Sequence, residues 1–148
     1  MGLPVKVVKK MALYTREFEV KARDFDSAGE VSKALRAILK QLSLLPDIVR
    51  RSCIVCYEAE MNIIIHSYGG TVKIEIFEDR IRVVAEDTGP GIEDIALAMK
   101  EGYSTAPEEI REMGFGAGMG LPNIKSNSDF MDIKSSKDGT VIVAEIFF

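Results

Sequence analysis

The chain has two cysteines, Cys53 and Cys56, and a single histidine, His66. A structural zinc cage takes four ligands, so these three leave it one short, and no second cysteine pair stands elsewhere. Both thiols fall inside a helical pattern, where free cysteine acts as a small buried hydrophobe. Excess positive charge is missing as well. The formal net charge is −4, whereas nucleic acid and anionic lipid are ordinarily met by a strongly basic face. No nucleic-acid partner is expected. No apolar run approaches the roughly 20 residues that span a bilayer, and the opening "MGLPVKVVKKMALY" lacks the long apolar region of a signal peptide. A myristoylation signal wants Ser or Thr where Lys6 stands. A soluble cytoplasmic protein with no membrane partner is expected.

Two familiar nucleotide motifs are also absent. A Rossmann fingerprint needs its glycines directly after an early strand, but here they fall late, at Gly114, Gly116, Gly118 and Gly120. A P-loop needs Lys-Ser or Lys-Thr after its glycines, and none follows.

What is present suits one domain: 148 residues, 47% of them apolar, can bury a single core. The run "TREFEVKARDF" alternates as a half-buried strand. Ser27 and Glu30 have capping-box spacing, and Val31, Leu35, Ile38, Leu42 and Leu45 then recur at helical period until Pro46. From Asp47 to about Tyr68 the apolar residues cover much of the circumference, predicting a central helix that ends at Gly69 and Gly70. "TVKIEIF" with "RIRVVAE", and "FMDIKSS" with "TVIVAEIFF", predict two hairpins around Asp79-Arg80 and Asp138-Gly139. Between them lies a polar, glycine-bearing stretch with a short helix near residues 92–100. The expected fold class is α+β: a two-layer α/β sandwich, its sheet mixed but mainly antiparallel, with the helices on one face. Residues 1–14 form an extension, read as an edge strand, an arm or a disordered tail, and residues 15–148 form the domain.

Three motifs carry chemistry. The glycine run enters "LPNIK", where Pro122 suits the first turn of a helix, and exposed amides of such a loop and helix start can cradle phosphates. The plainer reading is a mobile surface loop. In "EDTGPG", Asp87 is an acceptor suited to the exocyclic amine of adenine, and Gly89 and Gly91 leave room for a flat ring. The plainer reading there is an ordinary turn. On the central helix, Glu58, Asn62 and His66 stand at i, i+4 and i+8 and fall within roughly 80° of one another. Polar groups on one face of an apolar helix need partners, and a Mg-nucleotide beneath that face would supply them.

These elements, in this order, resemble the ATP-binding domain of the GHKL superfamily, with its Bergerat α/β sandwich, and most of all the small bacterial serine kinases of anti-sigma and stressosome switches. The resemblance covers residues 15–148. It implies ATP and Mg²⁺, with Glu58 as catalytic base, Asn62 holding Mg²⁺ through its amide oxygen, and Asp87 reading adenine. It further implies that Gly89 and Gly91 form the first glycine box and that Thr140 lies near the adenine. Tyr103, Ser104 and Thr105 of "GYSTA", together with Gly114, Gly116, Ala117, Gly118, Met119, Gly120 and Leu121, would contact the nucleotide. Arg111 would reach the terminal phosphate that distinguishes ATP from ADP. The chain departs from the family's usual small hydroxylic residue before the helix Asn by carrying Met61.

The activity implied is a protein serine/threonine kinase acting on a small anti-sigma-antagonist partner of STAS type. Two alternatives stay open. One is a nucleotide-gated binding module that sequesters a sigma factor with little catalysis, and the other an orphan histidine-kinase-like ATPase domain. Homodimers are common among the anti-sigma members.

Overall fold

The computed structural model describes residues 11–148; the readings made of residues 1–10, as an extension and as a poor lipidation signal, lie outside the described residues. The elements run β1 (Tyr14–Val20), α1 (Glu30–Gln41), α2 (Pro46–His66), β2 (Gly70–Ile76), β3 (Arg80–Thr88), α3 (Ile95–Ala98), α4 (Glu108–Glu112), α5 (Gly120–Asn127), β4 (Phe130–Ser136) and β5 (Gly139–Phe147). Tyr14 thus belongs to the first strand.

The five strands are ordered β1-β2-β3-β5-β4. Each of the four pairings is antiparallel, where the sequence allowed a mixed sheet. Period-2 alternation decides which face is dry. Val72, Ile74, Ile81, Val83, Ala85, Ile142 and Ala144 are buried and join one core with residues of α1, α2 and α5. The alternate residues put Glu75, Arg82 and Glu145 on the other face, where Glu145 accepts from Arg80 and Arg82.

α2 is the spine of the helical layer, packed on α1, α5 and four of the strands. Its all-round apolarity explains this position. Cys53 and Cys56 are buried in it, and burial pushes both thiols up in pKa, which disfavours the reactive thiolate.

The start of α1 differs from the sequence expectation. Ser27 lies in a 3-10 turn with its N–H bonded to Asp24, and Gly29, left-handed at φ 96°, is the N-cap. The cap comes from another helix: Gly29 N–H donates to Glu60 Oε1 at 2.8 Å, across 31 residues of sequence. Glu60 is only 3% exposed, and burial raises its pKa against the opposing pull of the Gly29 and Val31 amides. α1 also ends earlier, at Gln41, and Ser43 turns the chain at φ 53°, leaving Leu45 exposed.

Glu60→Ala removes this acceptor and leaves a partly buried amide without its partner, so stability is expected to fall by about 1–2 kcal/mol. Glu60→Gln keeps an acceptor oxygen and should recover most of the loss. Urea unfolding checks both; an Ala variant with an unshifted midpoint would show that the cap contributes nothing.

Among the described residues, no helix is long and apolar enough to cross a membrane.

Candidate nucleotide-binding site

A cavity of about 1040 Å³ opens between the C-terminal half of α2 and the segment running from Pro90 to Leu121. Its size is at the upper end for small-molecule sites. Glu58, Asn62 and His66 line it together, so the face read from their spacing is the face presented. The far walls are built from Gly91 to Asp94, from Tyr103, Ser104 and Thr105, and from Gly114 through Leu121. Met61 also lines the cavity.

Glu58 is half-buried, and loss of solvent raises its pKa. Asn123 on α5 opposes that shift by donating its Nδ2–H to Glu58 Oε1 at 3.3 Å. His66 is pushed down by burial and by the nearby charge of Arg23, which favours a neutral imidazole. Asn62 is partly buried on the same wall.

Asp87, Gly89, Thr140 and Arg111 do not line the cavity. Asp87 stands near the end of β3, where its Oδ1 accepts the Thr140 N–H at 3.2 Å. Burial raises its pKa and the Thr140 amide lowers it. Its Oδ2 has no partner among the described residues. The Thr140 hydroxyl in turn shares a 2.7 Å hydrogen bond with Ser135 Oγ, which accepts the Ile92 N–H at 2.7 Å. Ser135 and Ile92 do line the cavity, so Asp87 reaches its wall through this relay.

The sequence reading passed over Ser135, although it is the cross-strand partner of Thr140 on the hairpin found around Asp138-Gly139. Gly70 and Gly139 were missed as well. A Cβ on Gly70 would collide with the Glu86 carbonyl, and one on Gly139 with the Asp87 carbonyl. These two strands press on Asp87 from both sides. Gly91 is glycine because the protein's own backbone needs the room: it is left-handed at φ 77°, and a Cβ would strike the Ser136 carbonyl.

The segment over the cavity is more firmly seated than its polar sequence suggests. Ala106 and Ile110 join the main core, and Phe115 stacks on Phe25 with ring centroids 4.9 Å apart. Gly102 N–H donates to the Gly118 carbonyl at 3.0 Å, latching the glycine run to the residues before Tyr103. Arg111 is exposed and donates to the Ser104 carbonyl at 2.8 Å. Pro122 occupies the third residue of α5, in its first turn as expected. Backbone amides at the start of that helix, with the glycine run before it, form a wall able to hold phosphate oxygens.

Comparison with known proteins bears on the family and the fold. Residues 22–146 match the model of the histidine kinase-like ATPase domain. The chain is 36% identical over 117 residues to the anti-sigma F factor of Clostridium novyi, covering 74% of this chain and 78% of that one. It is 36% identical over 92 residues to the serine/threonine-protein kinase RsbT of Bacillus subtilis, covering 59% of this chain and 63% of that one. In fold it is similar to a chain in the crystal structure of the SiaB-SiaC complex from Pseudomonas aeruginosa, with a TM-score of 0.59 at 18% identity, covering 93% of this chain and 90% of that chain. The family model spans most of the chain and the anti-sigma F factor is matched over about three quarters of it, so the chain belongs to the histidine kinase-like ATPase (GHKL) family, alongside the anti-sigma factors of that family.

Proposed function

We propose that the chain is an ATP-dependent protein serine/threonine kinase that phosphorylates a small anti-sigma-antagonist domain and so controls whom that domain binds. The observation that carries this reading is the placement of Glu58 and Asn62 one turn apart on a cavity wall opposite the glycine run and the start of α5. ATP enters as substrate, its phosphates against the glycine-run amides. Glu58 takes the proton of the attacking hydroxyl as the new O–P bond forms and the bond to ADP breaks. An ionised carboxylate is needed for this, and the Asn123 amide favours it. Asn62 offers a hard amide oxygen on the cavity wall, which fits Mg²⁺, an ion that keeps several waters and takes most other ligands from phosphate. That ion would neutralise phosphate charge. Asp87 is assigned to the adenine amine, at the end of the cavity where Ser135 and Ile92 stand.

Phosphorylation adds up to two negative charges to the partner, which ejects it from an interface by repulsion and desolvation. The test is to incubate the full chain with Mg-ATP and a recombinant antagonist domain and map the phosphate. Acid-stable phosphoserine or phosphothreonine is expected. The relatives named as anti-sigma factors support a second reading, a nucleotide-gated binding module; ATP-dependent partner binding without transfer would establish it. An acid-labile phosphate would point to histidine-kinase-like chemistry instead.

Arg111 carries a further prediction. Its guanidinium now meets a neutral carbonyl in solvent, and a terminal phosphate is a stronger, charge-assisted partner that ADP lacks. ATP should protect residues 103–113 from proteolysis, ADP should do so weakly, and Arg111→Ala should abolish the difference. Equal protection by both nucleotides assigns the discrimination elsewhere.

A further inference from the structure

Asn123 lies in "LPNIK" with no role read for it from the sequence, yet it makes the hydrogen bond that Glu58 accepts. The Glu58 carboxylate lies against α5, with one oxygen bonded and the other open. Asn123 Nδ2 donates to Oε1 at 3.3 Å, while a Cβ on Gly120, the first residue of the same helix, would lie 3.2 Å from Oε2. α5 follows directly on the glycine run, whose Gly118 carbonyl holds the Gly102 amide. The helix that aims Glu58 is therefore the one that any movement of the glycine run must pull.

We infer that Asn123 is a positioning residue that orients the Glu58 carboxylate, keeps it ready to accept a proton, and ties its aim to the glycine run over the nucleotide cavity. The inference rests on the reading of Glu58 as the base. Asn123 is only partly buried, and its side-chain amide is neutral, so it contributes a donor without adding a charge. A 3.3 Å bond is at the long end of the range and has room to shorten when α5 is drawn toward a nucleotide. Gly120 matters for the same reason: any side chain there would crowd the oxygen left open for the substrate hydroxyl.

The other titratable groups facing Glu58 are Tyr57 beside it, which feels its charge, and His66 farther along the same face. Glu60 also acts on Tyr57 but bonds toward Gly29, away from the cavity. Glu93 and Asp94 line the opposite wall, and Tyr103 lines the overlying segment. None of these donates a hydrogen bond to Glu58, so it is the Asn123 bond that opposes the rise in pKa caused by burial.

The test reads the carboxylate directly. Carbon NMR of glutamate carboxyls, with Glu58 assigned from the Glu58→Gln variant, gives its titration in the full chain. In Asn123→Leu the midpoint is expected to move up by about half a pH unit or more, a roughly threefold rise in proton affinity. Asn123→Asp, which keeps the size and adds a like charge, should move it further in the same direction. The pH at which Mg-ATP turnover reaches half its plateau should shift by the same amount in each variant, with ATP affinity by calorimetry unchanged. A Glu58 midpoint identical in the natural chain and both variants overturns the inference, and so does lost turnover without a displaced pH profile. If the natural chain turns over no ATP and transfers no phosphate, the kinase reading fails separately, and the titration still judges the bond.

Discussion

Glu58→Gln is expected to lower phosphoryl transfer by about 100-fold or more while leaving ATP binding in place. The substitution keeps the size and helix propensity of the side chain, and its amide oxygen can still accept the Asn123 N–H, so α2 and α5 should stay docked. What is lost is the ability to take a proton. Asn62→Ala is the contrasting change: it should weaken Mg-ATP and spare metal-free nucleotide, because the lost group is an oxygen donor and no acid or base. Transfer assays under saturating ATP, paired with calorimetry with and without Mg²⁺, separate the two. Full transfer by both variants would mean that this face of α2 does not carry the chemistry.

Asp87→Asn is expected to weaken ATP binding by more than about tenfold, or roughly 1.4 kcal/mol. The reason is sharper in the structure than in the sequence. Asp87 has one oxygen committed to the Thr140 amide and one free. An Asn side chain has one acceptor and one donor end, so one orientation sets a donor against the adenine amine and the other sets it against the Thr140 N–H. Either costs a hydrogen bond. Because Asp87 is separated from the cavity by the Ser135 relay, unchanged affinity in a folded variant would place the adenine along Ile92 and Ser135, with Asp87 a structural support.

Much of this was legible in the chain because periodicity is set within a segment. The Glu58, Asn62, His66 face needed only the helical repeat, and the two hairpins needed only alternating runs around Asp79-Arg80 and Asp138-Gly139. What escaped depends on which segments the sheet order brings together. β5 lies between β3 and β4, so Gly139 meets Asp87 from far along the chain, and its role could not be seen from an Asp-Gly turn alone. The capping box failed for a similar reason: Ser27 and Glu30 have the right spacing, but Glu60 on the neighbouring helix takes the N-cap amide first. Asn123 and Glu58 are 65 residues apart and meet only because α5 packs on α2. Residues 103–113 are mostly polar, yet Ala106 and Ile110, nearly sealed in the core, seat the segment.

The central claim is that the cavity between α2 and residues 90–121 takes Mg-ATP. Segment-resolved amide hydrogen exchange on the full chain, with and without Mg-ATP, tests it most directly. Slowed exchange is expected in residues 91–98 and 102–121, where the cavity wall is loop and short helix, with β1 at the far edge of the sheet unchanged. Exchange that is unaltered in both segments at saturating Mg-ATP, or slowed only in β1, would contradict it.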